Sequence, residues 1–209
     1  MTRTPSTHLT VVATMLLAGA ALATSWAGFQ ASMWSSEQTT HSNQASRLRT
    51  NSTLASMRAG QQRLVDLQLF TSWLTAYAQE DARLTTFYEQ RFRPEFRPAF
   101  EAWIASRPRT SPNAAPSPFS LPEYRLAEDA NANRLAHAAD EESASSQHAD
   151  RVNDGYVFDA IILATVMFFG STAQTSAERR MRIILLGVAL TICVVGVFRL
   201  ITAPLAWPA

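Results

Sequence analysis

Two ionisable residues stand where the sequence is otherwise apolar, and they are the first candidates for chemistry. Asp159 begins one apolar run and Arg199 comes near the end of another. Charged side chains within membrane spans are rare and generally face protein or water, so an intramembrane ion pair is one reading. The other is that Arg199 snorkels to the interface while Asp159 sits among wet headgroups. A second candidate is the block Arg91-Phe92-Arg93-Pro94-Glu95-Phe96-Arg97-Pro98-Ala99-Phe100-Glu101-Ala102-Trp103, in which Phe-Arg-Pro occurs twice. Aromatic rings beside guanidinium groups suit a partner or anionic-ligand surface formed by Arg91, Phe92, Arg93, Phe96, Arg97, Phe100 and Trp103. The same rings, spaced to line one helical face, also suit a plug at the end of a bundle with Arg and Glu paired on its rim. The plug is the expected role, since aromatic stripes more often form core than site.

The remaining polar residues point to no reaction. His137 and Glu141 are one helical turn apart, with His148 and Asp150 further along, but the set is too loose for a metal and reads as a solvated face. No serine sits in a G-x-S-x-G context, and no P-loop or dinucleotide fingerprint is present. Catalytic residues, cofactors and metals are therefore not expected, and the chain does not read as an enzyme. Its formal charge of +1 carries no footprint for nucleic acid. All its basic residues are arginine, and the single cysteine, Cys193, lies in the last apolar run, which excludes a disulfide framework.

The elements that must position these residues begin with three apolar runs, 9–29, 156–173 and 183–205. A helix needs about 20 apolar residues, with a range of roughly 17–25, to cross the hydrocarbon core. Between the second and third runs, residues 174–182 include Arg179, Arg180 and Arg182. Positive residues in short loops stay cytoplasmic, whereas long loops translocate largely regardless of charge. The expected topology has residues 1–8 with Arg3 inside, 30–155 outside, 174–182 inside and 206–209 outside. Trp26, Tyr156 and Trp207 then fall near the outer surface, where amphipathic rings prefer to lie. Arg3, the apolar stretch and Ala21-Leu22-Ala23 also resemble a cleavable secretory signal. The uncharged run continues through Phe29, which favours an uncleaved anchor, and both readings export the same middle segment.

Gln30 to Arg93 contains no proline and one glycine, so it can be helix throughout, and a break, if present, is expected at Gly60. Past Gly60 an apolar stripe of Leu64, Leu67, Phe70, Trp73, Leu74, Tyr77, Leu84, Phe87 and Tyr88 predicts a helix facing a core. Five prolines between Pro108 and Pro122 predict an extended connection over 107–122. From there to Asp154 the chain lacks Gly and Pro and predicts a return helix running into the second span. The expected fold is all-α: three transmembrane helices carrying a long extracytoplasmic helical hairpin or bundle, with a coiled-coil-like stalk. At about 1.5 Å per residue the two stalk helices would rise roughly 45–50 Å from the membrane. In the third span, Gly187 with Thr191 and Ala189 with Cys193 have the spacing of close helix contacts.

Trp26-Ala27-Gly28-Phe29-Gln30-Ala31-Ser32-Met33-Trp34-Ser35-Ser36-Glu37-Gln38, with the Arg91–Trp103 block and the Pro-rich loop, resembles a group of bacterial inner-membrane proteins of unknown function. Their layout is similar: one N-terminal span, an exported helical region and a closing two-span hairpin. The resemblance implies an uncleaved first span and no particular activity. The expected role is thus a non-enzymatic envelope protein of the bacterial inner membrane. It would contact lipid and act through protein–protein contact, as a homo-oligomer or as an accessory subunit of another membrane protein. An extracytoplasmic ligand-sensing domain signalling through a partner is one alternative, and a subunit of an oligomeric channel or transporter is another.

Overall fold

A computed structural model describes residues 7–207; Arg3, the rest of 1–6, and 208–209 of the expected tails lie outside the described residues. Among the described residues all regular structure is helical: α1 (Thr7–Ala78), α2 (Ala82–Glu89), α3 (Arg97–Ala105), a 3₁₀ turn (Pro118–Ser120), α4 (Ala127–Thr175) and α5 (Arg179–Thr202). Three of them, α1, α4 and α5, contain stretches long and apolar enough to cross a membrane.

Helix α1 is continuous through Gly60, as the absence of proline allows. No atom lies within 4 Å of where a Cβ on Gly60 would stand, so neither packing nor conformation interrupts the helix there. It ends instead at Ala78, where Glu80 adopts a left-handed φ of 57°. Asp81 then caps α2, its Oδ1 accepting the Leu84 amide at 3.0 Å. Proline at the start of α3 suits the fixed φ of a first helical turn. The connection 107–122 is not simply extended, because the 3₁₀ turn at Pro118–Ser120 brings Phe119 back into the core. Glu128 and Asp129 in the first turn of α4 complement its dipole. Only Ser176–Glu178 separate α4 from α5, so most of the expected turn at 174–182 is helical. The third apolar run likewise leaves the helix at Thr202, two residues before Pro204, rather than at 205.

The chain divides into two compact units, 1–43 with 142–209, and 44–141. Residues 30–43 and 142–155 fall in the same unit as the apolar stretches of α1, α4 and α5. In the first unit, α1, α4 and α5 meet in three apolar layers. Ala13, Ala173 and Leu186 form one, Ala20, Val166 and Ala189 the next, and Ala27, Ala31, Tyr156 and Leu200 the third. Rising residue numbers in α1 and α5 face falling numbers in α4, so α4 runs opposite to the other two. Alanine at 13, 20 and 27 keeps one small side chain per seven residues on the buried face, which lets the backbones approach. Glycines do the same from the other side: a Cβ on Gly170 would stand 2.8 Å from Leu17 Cδ2, and one on Gly196 3.1 Å from Leu163 Cδ2.

The second unit has an aromatic core of Phe70, Trp73, Phe92, Phe96, Phe100 and Trp103, closed by Tyr77, Tyr88, Phe119, Leu121 and Tyr124. Ring pairs are mostly edge-to-face, as between Phe70 and Trp103 at 5.3 Å and Trp73 and Phe100 at 4.8 Å, the arrangement that ring quadrupoles favour. The indole N–H groups are satisfied: Trp103 donates to the Ala115 carbonyl at 2.8 Å and Trp73 to Glu89 Oε1 at 2.9 Å. Away from this core the unit is thin. Ala55 and Ala59 of α1 and Ala132 and Ala139 of α4 are buried, with Ser52 donating to the Ala132 carbonyl and Arg63 pairing with Asp129 at 2.6 Å. Of the apolar stripe expected to face the core, Leu64, Leu67, Leu74 and Phe87 are exposed instead. The buried face of α1 runs through Ala59, Asp66, Phe70 and Trp73, and it is too narrow to cover them.

Candidate functional site

The described surface offers three places where polar groups converge, and each is contained within one compact unit. In the first unit, Tyr156 and Asp159 lie one turn apart on α4 and both are buried. Arg199 of α5 donates from Nε to Asp159 Oδ1 at 2.6 Å, while its own side chain stays 46% exposed against 3% for Asp159. The guanidinium carbon also lies 5.5 Å from the centre of the Phe158 ring. The pair forms through one nitrogen, and the Arg199 side chain remains partly exposed.

One turn further along, the segment after α5 is held by side chains from α1 and α4. Gln30 is 1% exposed, and its amide exchanges two hydrogen bonds with the Ala206 backbone. The Pro204 carbonyl accepts from Trp34 Nε1 at 3.2 Å and from the Tyr156 hydroxyl at 2.9 Å. Next to this clamp lies an open pocket of about 600 Å³ lined by Trp34, Glu37, His41, Ser145, His148 and Trp207. His41 Nδ1 is 2.7 Å from Glu142 Oε2, its Nε2 is 3.9 Å from Glu37, and the His148 ring meets Trp34 edge-on. None of Gln30, Trp34, His41 or Glu142 was a candidate by spacing, since the partners that hold them here lie more than 100 residues away. The one available signal was that Gln30, Trp34 and Glu37 all fall in the Trp26–Gln38 block. His137, Glu141 and Asp150 do not join this cluster, and no group of three His, Cys, Asp or Glu among the described residues could hold a metal ion.

The third place is the Arg91–Trp103 block in the second unit. The rings do not share one helical face: Phe92 lies in the turn before α3, Phe96 is its N-cap, and Phe100 and Trp103 lie within it. The turn nevertheless brings all four into the core, where Phe96 is fully buried. Arg91 stacks on the Phe87 ring at 3.5 Å and donates to the Phe87 carbonyl, and Arg97 donates to the Phe92 and Gln90 carbonyls, so both guanidinium groups brace the local backbone. Arg93 pairs with Glu95 and approaches Asp66 at 3.6 Å. Asp66 is wholly buried on α1 and accepts the Tyr124 hydroxyl at 3.0 Å. Burial pushes its carboxyl above the usual range, against the opposing pulls of Tyr124 and Arg93. Phe92, Arg97 and Phe100 also face an open groove of about 650 Å³, shared with Trp73, Tyr77, Glu89 and Glu101.

Comparison with protein-family models, with curated proteins and with solved structures found no match.

Proposed function

We propose that this chain is a non-enzymatic protein of the bacterial inner membrane that acts through protein–protein contact outside the cytoplasm. In this reading it crosses the bilayer three times, keeps the Arg179–Arg182 turn inside, and exports unit 44–141 and the C-terminus. It belongs on this reading with the bacterial group that its two sequence blocks resemble. The observation that carries the proposal is the outer surface of α1 in the second unit. Leu54, Met57, Leu64, Val65, Leu67 and Leu74 are all exposed there within 21 residues, although the same unit buries Phe70, Trp73, Phe92, Phe96, Phe100 and Trp103. Single exposed aliphatic residues are ordinary, but six spread over the outer half of one water-facing helix mark an interaction surface. The braced rings behind it make the helix a firm support for such a contact.

A photo-crosslinking side chain at Leu64 in living cells tests the contact, and reporter fusions test the topology. Protein adducts at Leu64, exported signals in 111–117 and a cytoplasmic signal in 174–182 are expected. A cytoplasmic signal at 111–117 overturns the topology; absence of any protein adduct at Leu64 overturns the contact role.

A further inference from the structure

The exposed surface of α1 has an order of its own. In a seven-residue frame, Leu54, Gln61 and Gln68 occupy one row, and Met57, Leu64 and Thr71 occupy the next, alternately three and four residues apart. All six are exposed, Met57 by 57% and Leu64 by 67%. The opposite row of the same frame is Ala59, Asp66 and Trp73, all buried. Helix α1 therefore carries two seams on opposite sides, one filled by its own chain and one unfilled. Alternating steps of three and four hold a face toward one partner helix, and here Leu54, Met57 and Leu64 supply its apolar part while Gln61, Gln68 and Thr71 are polar.

We propose that the unfilled seam is occupied by a second copy of this chain, α1 against α1, parallel and in register. The proposal rests on the contact role above and names the partner. Four observations select a second copy. First, two copies inserted in one bilayer with the same topology are related by an axis along the membrane normal, so helices that run along that axis pair in parallel. Second, the glutamines at 61 and 68 would face their own counterparts across that axis. An amide is both donor and acceptor, so each pair can satisfy itself only when the two chains are in register. Third, the rows beside the seam hold Thr53, Gly60, Leu67 and Leu74 on one side and Arg58, Val65 and Ser72 on the other. In a parallel pair each residue of the first side meets the residue five positions later on the partner. Thr53 then faces Arg58, Gly60 faces Val65 and Leu67 faces Ser72, and no like charges are opposed. Open space around Gly60 lets the backbones draw together where Val65 comes across. Fourth, α4 offers no rival face, because no large apolar side chain is exposed between Leu126 and Tyr156. The seam is short, but confinement in a bilayer raises the effective concentration of the second helix far above that in solution.

Disulfide trapping in native membranes tests this, using full-length chains in a Cys193→Ser background. Met57→Cys and Leu64→Cys sit in the seam, and Ser56→Cys is an exposed control on a row outside it. Self-disulfides at 57 and at 64, several-fold more abundant than at 56, are the expected result. Disulfides only between a Met57→Cys chain and a Leu64→Cys chain would overturn the register. Adducts whose mass is not twice that of the chain would overturn the second copy while leaving the contact role standing. Each variant is also labelled with a membrane-impermeant maleimide on intact spheroplasts. Monomer labelled from outside would overturn the paired seam alone, whereas thiols that label only after lysis would overturn the exported topology beneath it.

Discussion

The Gln30 side chain and the Ala206 backbone form a closed pair of hydrogen bonds across 176 residues: Nε2 donates to the Ala206 carbonyl at 3.1 Å, and the Ala206 amide donates to Oε1 at 2.9 Å. A primary amide presents a donor and an acceptor side by side, which is how an extended backbone presents them. Gln30 thus completes, from α1, the backbone pairing that the chain loses when it leaves α5 at Thr202.

Gln30→Ala should release the segment after α5. Removing one partner leaves part-buried backbone groups to water, at a cost of about 1 kcal/mol, the usual net worth of such bonds. Amide exchange at Ala206 should accelerate. Unchanged exchange in the variant would mean that Trp34 and Tyr156, holding Pro204, suffice.

Arg199→Leu should be more damaging than the Asp159→Leu, Arg199→Leu double change. The first leaves a buried carboxylate without its counter-charge, whereas the second replaces both charges with apolar groups. Coupling on the order of 1–3 kcal/mol is expected for groups in contact, and the exposed side of Arg199 places it toward the lower end. Thermal unfolding of all four members of the cycle in one detergent provides the measurement; additive effects would show that the contact contributes nothing.

Phe96→Ala should cost the second unit about 3–5 kcal/mol, the usual range for emptying a buried phenylalanine. The ring is fully buried between Phe92, Phe119 and Tyr124. Phe87→Ala removes an equal volume from an exposed position and should shift melting little. Equal losses for the two would place the core elsewhere.

Asp66 should make the second unit less stable as pH rises. Its carboxyl is raised in the fold above its ordinary value of 3.8, chiefly by burial, so between those two values the folded state binds more protons than the unfolded one. The stability it contributes is complete below the ordinary value and is lost as pH climbs through the raised one. Asp66→Asn keeps an acceptor for Tyr124, which burial and the Asp66 charge hold firmly protonated. The variant should lack this decline and melt higher than the parent at neutral pH. A parent whose melting temperature rises steadily from acid to neutral pH would contradict the assignment.

The all-helical character and the three apolar stretches were legible in the residues, because length, hydropathy and the absence of proline act locally and need no partner. So was the uninterrupted passage of the return helix into the second span, for the same reason. The absence of proline allowed α1 to continue through Gly60, and a glycine weakens a helix only by about 1 kcal/mol, so its neighbours outweigh it. Aromatic content singled out Phe92, Phe96, Phe100 and Trp103, but only the turn at Pro94 decided that they converge without sharing a helical face. The stripe past Gly60 looked uniform in sequence. Tertiary packing split it, burying Phe70 and Trp73 and leaving Leu64, Leu67 and Leu74 outside, because the large rings already filled the space beside α1. Asp159 and Arg199 were identifiable as charges in apolar runs, while their contact depended on two opposed helices placing them at one height. Gln30, Trp34, His41 and Glu142 carried no such mark. Their partners are distant in sequence, and hydrogen bonds of that kind follow from where helices end in space, which no local pattern of residues encodes.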